Sequence, residues 1–258
     1  MDGAGTDGGP AEMVAAEIEA AGGEAIADTS DVSSVDSANA LIDTAVSHFG
    51  GIDIVINNAG IMRWAGPPQV DAANITDHFN VHTLGSFNTV RAAWPHMVTA
   101  GYGRIVMTTS AGMLGHPANT AYATAKGGVV GLTRSLHTAG NKHGIKINLI
   151  APAAITRMAG VSDGDAPTEE MSPDLAAPMA AFLSHEDCPV SGEIYGAGAG
   201  RFNRMFIAST PGYLHADGEP GIEDVATNWA AINDESGYSV PTDLMDWSAA
   251  FTNHLPDQ

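Results

Sequence analysis

The chain has 258 residues, and its 30 acidic against 10 basic side chains give a net charge of −20. That charge repels nucleic acid and anionic membrane surfaces at long range, so neither is expected as a partner. Apolar residues at 44% and charged residues at 16% suit one large α/β domain with a full core, not a disordered chain. The single cysteine, Cys188, can form no intramolecular disulfide and has no Cys/His spacing of the zinc type, so it reads as a bystander thiol, with no metal site expected. The first residues lack the basic start and apolar run of a signal peptide, and no apolar stretch approaches membrane-spanning length. A cytoplasmic protein is the expectation.

Residues 11–22 place Met13, Val14, Ile18 and Ala21 along one helical face, and Gly22-Gly23 stop the helix. A short strand over residues 24–28 should follow. Residues 34–49 read as a second helix, with Ala38, Leu41, Ile42, Val46 and Phe49 near one stripe and Gly50-Gly51 at its end. Residues 52–56, Ile-Asp-Ile-Val-Ile, then read as a buried strand. The alternation continues with a helical region over 71–97, a strand over 104–108, a helix over 120–140 and a strand over 146–150. Such alternation favours a parallel sheet with helices on both faces and ligands beyond the carboxyl ends of the strands. Residues 151–173 read as a lid-length loop, followed by a helix over 173–185 and a strand over 193–195. Beyond residue 205 the pattern weakens into a C-terminal extension, with one helix expected over 222–232.

Four segments fall at strand ends or on the following helix: Asn57-Asn58-Ala59-Gly60, Thr108-Thr109-Ser110, Tyr122 with Lys126 four residues on, and Asn148 to Pro152. In this order they resemble the short-chain dehydrogenase/reductase family. The resemblance implies a Rossmann-like doubly wound parallel sheet and an enzyme that interconverts a secondary alcohol and a ketone with a nicotinamide cofactor. Residues four apart on a helix share a face, which sets the Lys126 ammonium beside the Tyr122 phenol, and a nearby cation favours phenolate. By resemblance Tyr122 is the acid/base and Lys126 also holds the nicotinamide ribose. Ser110 would hydrogen-bond the reacting oxygen. It precedes Tyr122 by twelve residues, where the family places its serine thirteen before, so Thr109 stays as the fallback. His82 stands where most members carry an asparagine that binds a relay water. It reads equally as a water holder or a satisfied core histidine.

The resemblance also assigns cofactor contacts to Asp31 and Val32 at the adenine, to Asn58, Ala59 and Gly60 after their strand, to Pro152, and to Thr156 at the carboxamide. Ala153 replaces the glycine that usually follows the proline. His82 and the flanking Gly-Ser-Phe and Arg-Ala-Ala-Trp runs point to the branch containing the D-specific 3-hydroxyacyl-CoA dehydrogenase part of peroxisomal multifunctional enzyme. That branch implies NAD in preference to NADP, a 3-hydroxyacyl-CoA or steroid-like substrate, and a homodimer or homotetramer.

Gly3, Gly5 and Gly8 satisfy G-x-G-x-x-G literally. The context refuses a phosphate turn, because no strand precedes it, Asp2 and Asp7 would repel a pyrophosphate, and Pro10 crowds it. The expectation is a family core over 1–205 lacking the first strand, first helix and second strand, with a start at an internal methionine, and an extension over 206–258. Two other readings stand beside an active oxidoreductase. One is a catalytically silent remnant that pairs with intact relatives, and the other is a lyase-type relative that works without nicotinamide.

Overall fold

The computed structural model describes residues 8–156, 158, 169–216 and 218–255. The literal glycine motif therefore lies outside the described residues except for Gly8, as do residues 157 and 159–168 of the expected lid. The chain divides after Arg204 into two compact units.

Helix α1 (Gly9–Ala20) ends as its glycines require. Gly22 takes φ +88 and the Gly23 N–H reaches back to Ile18 O at 2.9 Å, a left-handed stop that costs a residue without Cβ little. No side chain of α1 is buried, and Met13 and Val14 are 66% and 54% exposed. Residues 24–28 are not a strand, which corrects the sequence expectation. A strand forms only where a neighbour completes its ladder, and no described strand lies beside this segment.

Ser34 caps α2 (Val35–Phe49) by accepting from Ser37 N, and Gly50 at φ +82 ends it. Strand β1 (Ile54–Asn57) leads to α3 (Ala72–His78), whose cap Asp71 accepts from Asn74 N at 2.8 Å. A π-helical turn, Phe79–Leu84, then runs into α4 (Gly85–Ala100). After β2 (Gly103–Thr108) comes α5 (Thr120–Gly140), with the bounds the sequence pattern predicts, then β3 (Ile145–Pro152), α6 (Ala177–Ser184) and β4 (Ile194–Gly198).

Strands β1 to β4 pair in parallel and in chain order. Strand β5 (Arg201–Met205), unforeseen in the sequence, returns beside β4 through Ala199 and Gly200, both at positive φ, as a two-residue hairpin demands. Central strands buried on both faces are nearly continuous apolar runs. Ile105, Met107, Ile147 and Leu149 are fully buried, while Val106 and Ile150 cluster with Leu183 of α6 and Cys188.

Strand β1 departs from this pattern. Val55 is buried, but Ile54 and Ile56 are 46% and 50% exposed and only β2 pairs with the strand. The expected buried strand is thus a half-covered edge, because α6 reaches its second face only in part and, among the described residues, no strand pairs along its outer side.

The second unit holds α7 (Ile222–Thr227), α8 (Trp229–Ile232) and α9 (Leu244–Phe251). The expected helix over 222–232 is interrupted at Asn228, and α9 was not foreseen. Among the described residues no helix is long and apolar enough to cross a membrane.

Candidate active site

The carboxyl ends of β1, β2 and β3 open on one cavity of about 560 Å³ that Asn58, Ser110, Tyr122, Lys126, Pro152 and Thr156 all line. Ser110 stands two residues past β2's last paired position, Thr108. Its Oγ accepts from Gly112 N at 3.0 Å, and its hydroxyl lies on the Tyr122 side of the cavity, near enough to favour the ionised phenol. Gly112 allows this closeness, since a Cβ there would lie 3.2 Å from the Tyr122 ring and 3.3 Å from Ser110 Oγ. Thr109 is completely buried and spends its hydroxyl on Lys126 O at 3.0 Å. Of the two hydroxyls, Ser110's is the one that meets the phenol.

Lys126 lies one turn along α5 from Tyr122, with Nζ 5.5 Å from the ring centroid and donating to Thr108 O at 2.7 Å. Burial lowers its pKa from 10.5 to about 7. Burial raises the Tyr122 phenol, and the Ser110 hydroxyl pulls it back. The four-residue spacing predicts instead a lysine cation that draws the phenol down. In this geometry desolvation dominates, because Nζ is committed to a backbone carbonyl and is itself half discharged near neutrality.

His82 sits in the π turn and is 1% exposed. Its Nε2 lies 2.8 Å from Ile61 O and 3.2 Å from Ile61 N. The shorter contact assigns the proton to Nε2. That leaves Nδ1 a bare buried acceptor without a partner among the described residues. Burial first, then the Lys126 charge, pushes its pKa down to about 3, so the ring is neutral. Gly60 touches it closely, since a Cβ there would lie 2.5 Å from the ring.

One turn earlier on the same helical rod, His78 is fully buried and stacks on His82 with centroids 5.9 Å apart. Both rings meet Tyr122 edge-on. His78 accepts from Arg63 N at 3.2 Å and its Nδ1 donates to Asn74 O at 2.9 Å. Its spacing of four from His82 was visible in the sequence and went unused. Met62 and Trp64, which also line the cavity, carried no signal at all.

Not every predicted contact converges on the cavity. Asp31 accepts from Ser33 N at 2.9 Å, and Val32 O accepts from Asn88 Nδ2 at 3.0 Å while packing on Gly85 at the start of α4. Neither lines the cavity, and neither do Ala59 and Gly60. Thr156 accepts from Met158 N at 3.3 Å at the cavity's edge.

Residues 4–165 match the short chain dehydrogenase family. A short-chain type dehydrogenase/reductase of Mycobacterium tuberculosis is 36% identical over 240 residues, covering 93% of this chain and 84% of that relative. The peroxisomal multifunctional enzyme type 2 of Mus musculus is 36% identical over 95% of this chain, which spans 33% of that enzyme's length. The solved structure of full-length peroxisomal multifunctional enzyme type 2 from Drosophila melanogaster aligns with a TM-score of 0.80 at 28% identity, covering 95% of this chain and 43% of that one.

Proposed function

The chain belongs to the short-chain dehydrogenase/reductase family, an oxidoreductase family that typically uses nicotinamide dinucleotides, and from that premise we propose that it interconverts a secondary alcohol and a ketone with Tyr122 as acid/base. The observation that carries this reading is a single cavity lined by Ser110, Tyr122 and Lys126, with the Lys126 amine one helical turn from the phenol.

In the oxidative direction Tyr122 takes the hydroxyl proton and Ser110 steadies the reacting oxygen with its O–H. A nicotinamide held beside them would supply the acceptor for the hydride of the carbinol carbon. The residues present fit such a group. Lys126 has protons to spare beyond Thr108 O for a ribose hydroxyl, Thr156 offers a hydroxyl at the mouth, and Asn58 and Pro152 flank the floor. Ala59 and Gly60 would let the dinucleotide backbone come close, and Asp31 with Val32 would meet its adenine. His82 would hold a water on its bare Nδ1, linking Lys126 to the interior. We take NAD as the cofactor and a 3-hydroxyacyl thioester or steroid-like alcohol as the substrate, in keeping with the branch the motifs resemble.

The test is the formation of reduced nicotinamide by the purified chain with such alcohols and either dinucleotide. Tyr122→Phe should lower turnover by about 10²–10⁴ while dinucleotide binding persists. Near-normal turnover in Tyr122→Phe would reject the acid/base assignment, and faster reduction of NADP would reject NAD. One observation favours a second reading, a silent subunit that pairs with intact relatives. Among the described residues the outer edge of β1 is unpaired, and the apolar side chains of α1 are uncovered. Dinucleotide binding by the isolated chain separates the two.

A further inference from the structure

The segment after β1 is held far more tightly than a connecting loop needs to be. Its fixed points alternate along the chain. His82 grips Ile61, His78 accepts from Arg63 N, and Ala65 O accepts from Thr120 N at 3.2 Å, at the first residue of α5. Ala65 also bridges Asn119, and Gly66 is pressed so closely on Pro117 that a Cβ would lie 1.8 Å from its carbonyl oxygen. In extended backbone, residues two apart share a side. With 61, 63 and 65 tied to the protein, Met62 and Trp64 are the pair that line the cavity.

None of these ties involves the indole itself. Trp64 remains 54% exposed, braced edge-on by His116 at 5.6 Å. A lone exposed apolar side chain needs no explanation. A large ring held rigidly at the rim of a reaction cavity, with Met158 also in the lining, is a surface prepared in advance for apolar contact, which lowers the cost of ordering it on binding.

We propose that Trp64 is the specificity-determining residue of this site, a fixed apolar platform for the hydrocarbon substituent of the substrate. This rests on the oxidoreductase reading above and goes further, in that the preferred substrate carries an extended uncharged hydrocarbon beside its carbinol carbon.

The test uses the whole chain and a homologous series of unbranched secondary alcohols and their ketones. Methylene burial on the platform should lower KM by up to about fourfold per added carbon, with kcat little changed. Trp64→Ala should flatten that dependence below about twofold per carbon, while Trp64→Phe should keep most of it. An unaltered dependence on chain length in Trp64→Ala overturns the proposal. A second arm needs no turnover and separates failure of the proposal from failure of the oxidoreductase reading. A long-chain ketone should quench the tryptophan emission saturably in the native chain and lose that component in Trp64→Phe, whereas equal quenching in both overturns it.

Discussion

Replacing Lys126 by Met tests whether burial, and not a charged partner, sets the state of the site. The amine is 3% exposed and its pKa is lowered from 10.5 to about 7. The unfolded chain therefore holds this proton up to about pH 10.5 while the folded chain releases it near 7, and stability must rise with pH between those values. At about 1.4 kcal/mol per pH unit the full penalty below pH 7 amounts to ~5 kcal/mol. Methionine keeps the length of the side chain and removes the charge, at the loss of the 2.7 Å bond to Thr108 O, worth about 1–2 kcal/mol. Urea unfolding at about pH 6.5 and about pH 9.5 should then show the native chain gaining ~3 kcal/mol more than Lys126→Met over that interval. At the lower pH the variant should be the more stable by ~3 kcal/mol, a stabilisation gained by dismantling a reactive site. Other groups titrate in this range, but they are common to both proteins and cancel in the difference. Parallel curves would refute the argument and mean that Lys126 is discharged or solvated in the folded chain at every pH tested.

Three further outcomes follow from the same geometry. Ser110→Ala should cost about 10²–10³ in turnover, whereas Thr109→Val, which deletes the bond to Lys126 O, should cost about 1 kcal/mol of stability and little rate; the reverse pattern in steady-state kinetics would exchange the two roles. For His82, whose pKa falls from 6.5 to about 3, the unfolded state takes the proton first, so stability is lost as pH drops from 6.5 toward 3. His82→Asn should show a shallower decline of Tm over that range, and an identical decline would mean that this ring is not the group responsible. Gly66→Ala places a methyl against the Pro117 backbone and should destabilise the chain by about 1–3 kcal/mol in urea unfolding, while an undisturbed midpoint would show that the clamp yields.

The legible parts of the molecule are those whose information is local. Helix α5 could be read to the residue because its apolar stripe and small residues lie within it, and β2 and β3 because buried parallel strands are continuous apolar runs. The same rule misread residues 24–28 and the faces of Ile54 and Ile56, since alternation says that a face wants cover and not whether cover is present. Motif order singles out Asn58, Ser110, Tyr122 and Lys126, and all four line one cavity. It did not yield the sign of the Tyr122 shift, which depends on how much water reaches the phenol. Trp64 was beyond reach for a further reason, since its position comes from hydrogen bonds to His78 and His82 on one helical rod and to Thr120 of α5, which no spacing encodes.

The open side of β1 also bears on how the chain behaves among other proteins. An uncovered edge is a template onto which any extended peptide can add. Here the template is four residues long, Ile54–Asn57, preceded by the charge of Asp53 and ending in the strand-averse pair Asn57-Asn58. A stray strand can zip only briefly before it meets a carboxylate at one end and side-chain amides at the other, and it leaves Ile54 and Ile56 as wet as before. Backbone pairing alone gains little there, so the edge favours an arrival that also roofs the two isoleucines over bare β-sheet growth, and the shortness of one strand limits the risk of fibrillar stacking.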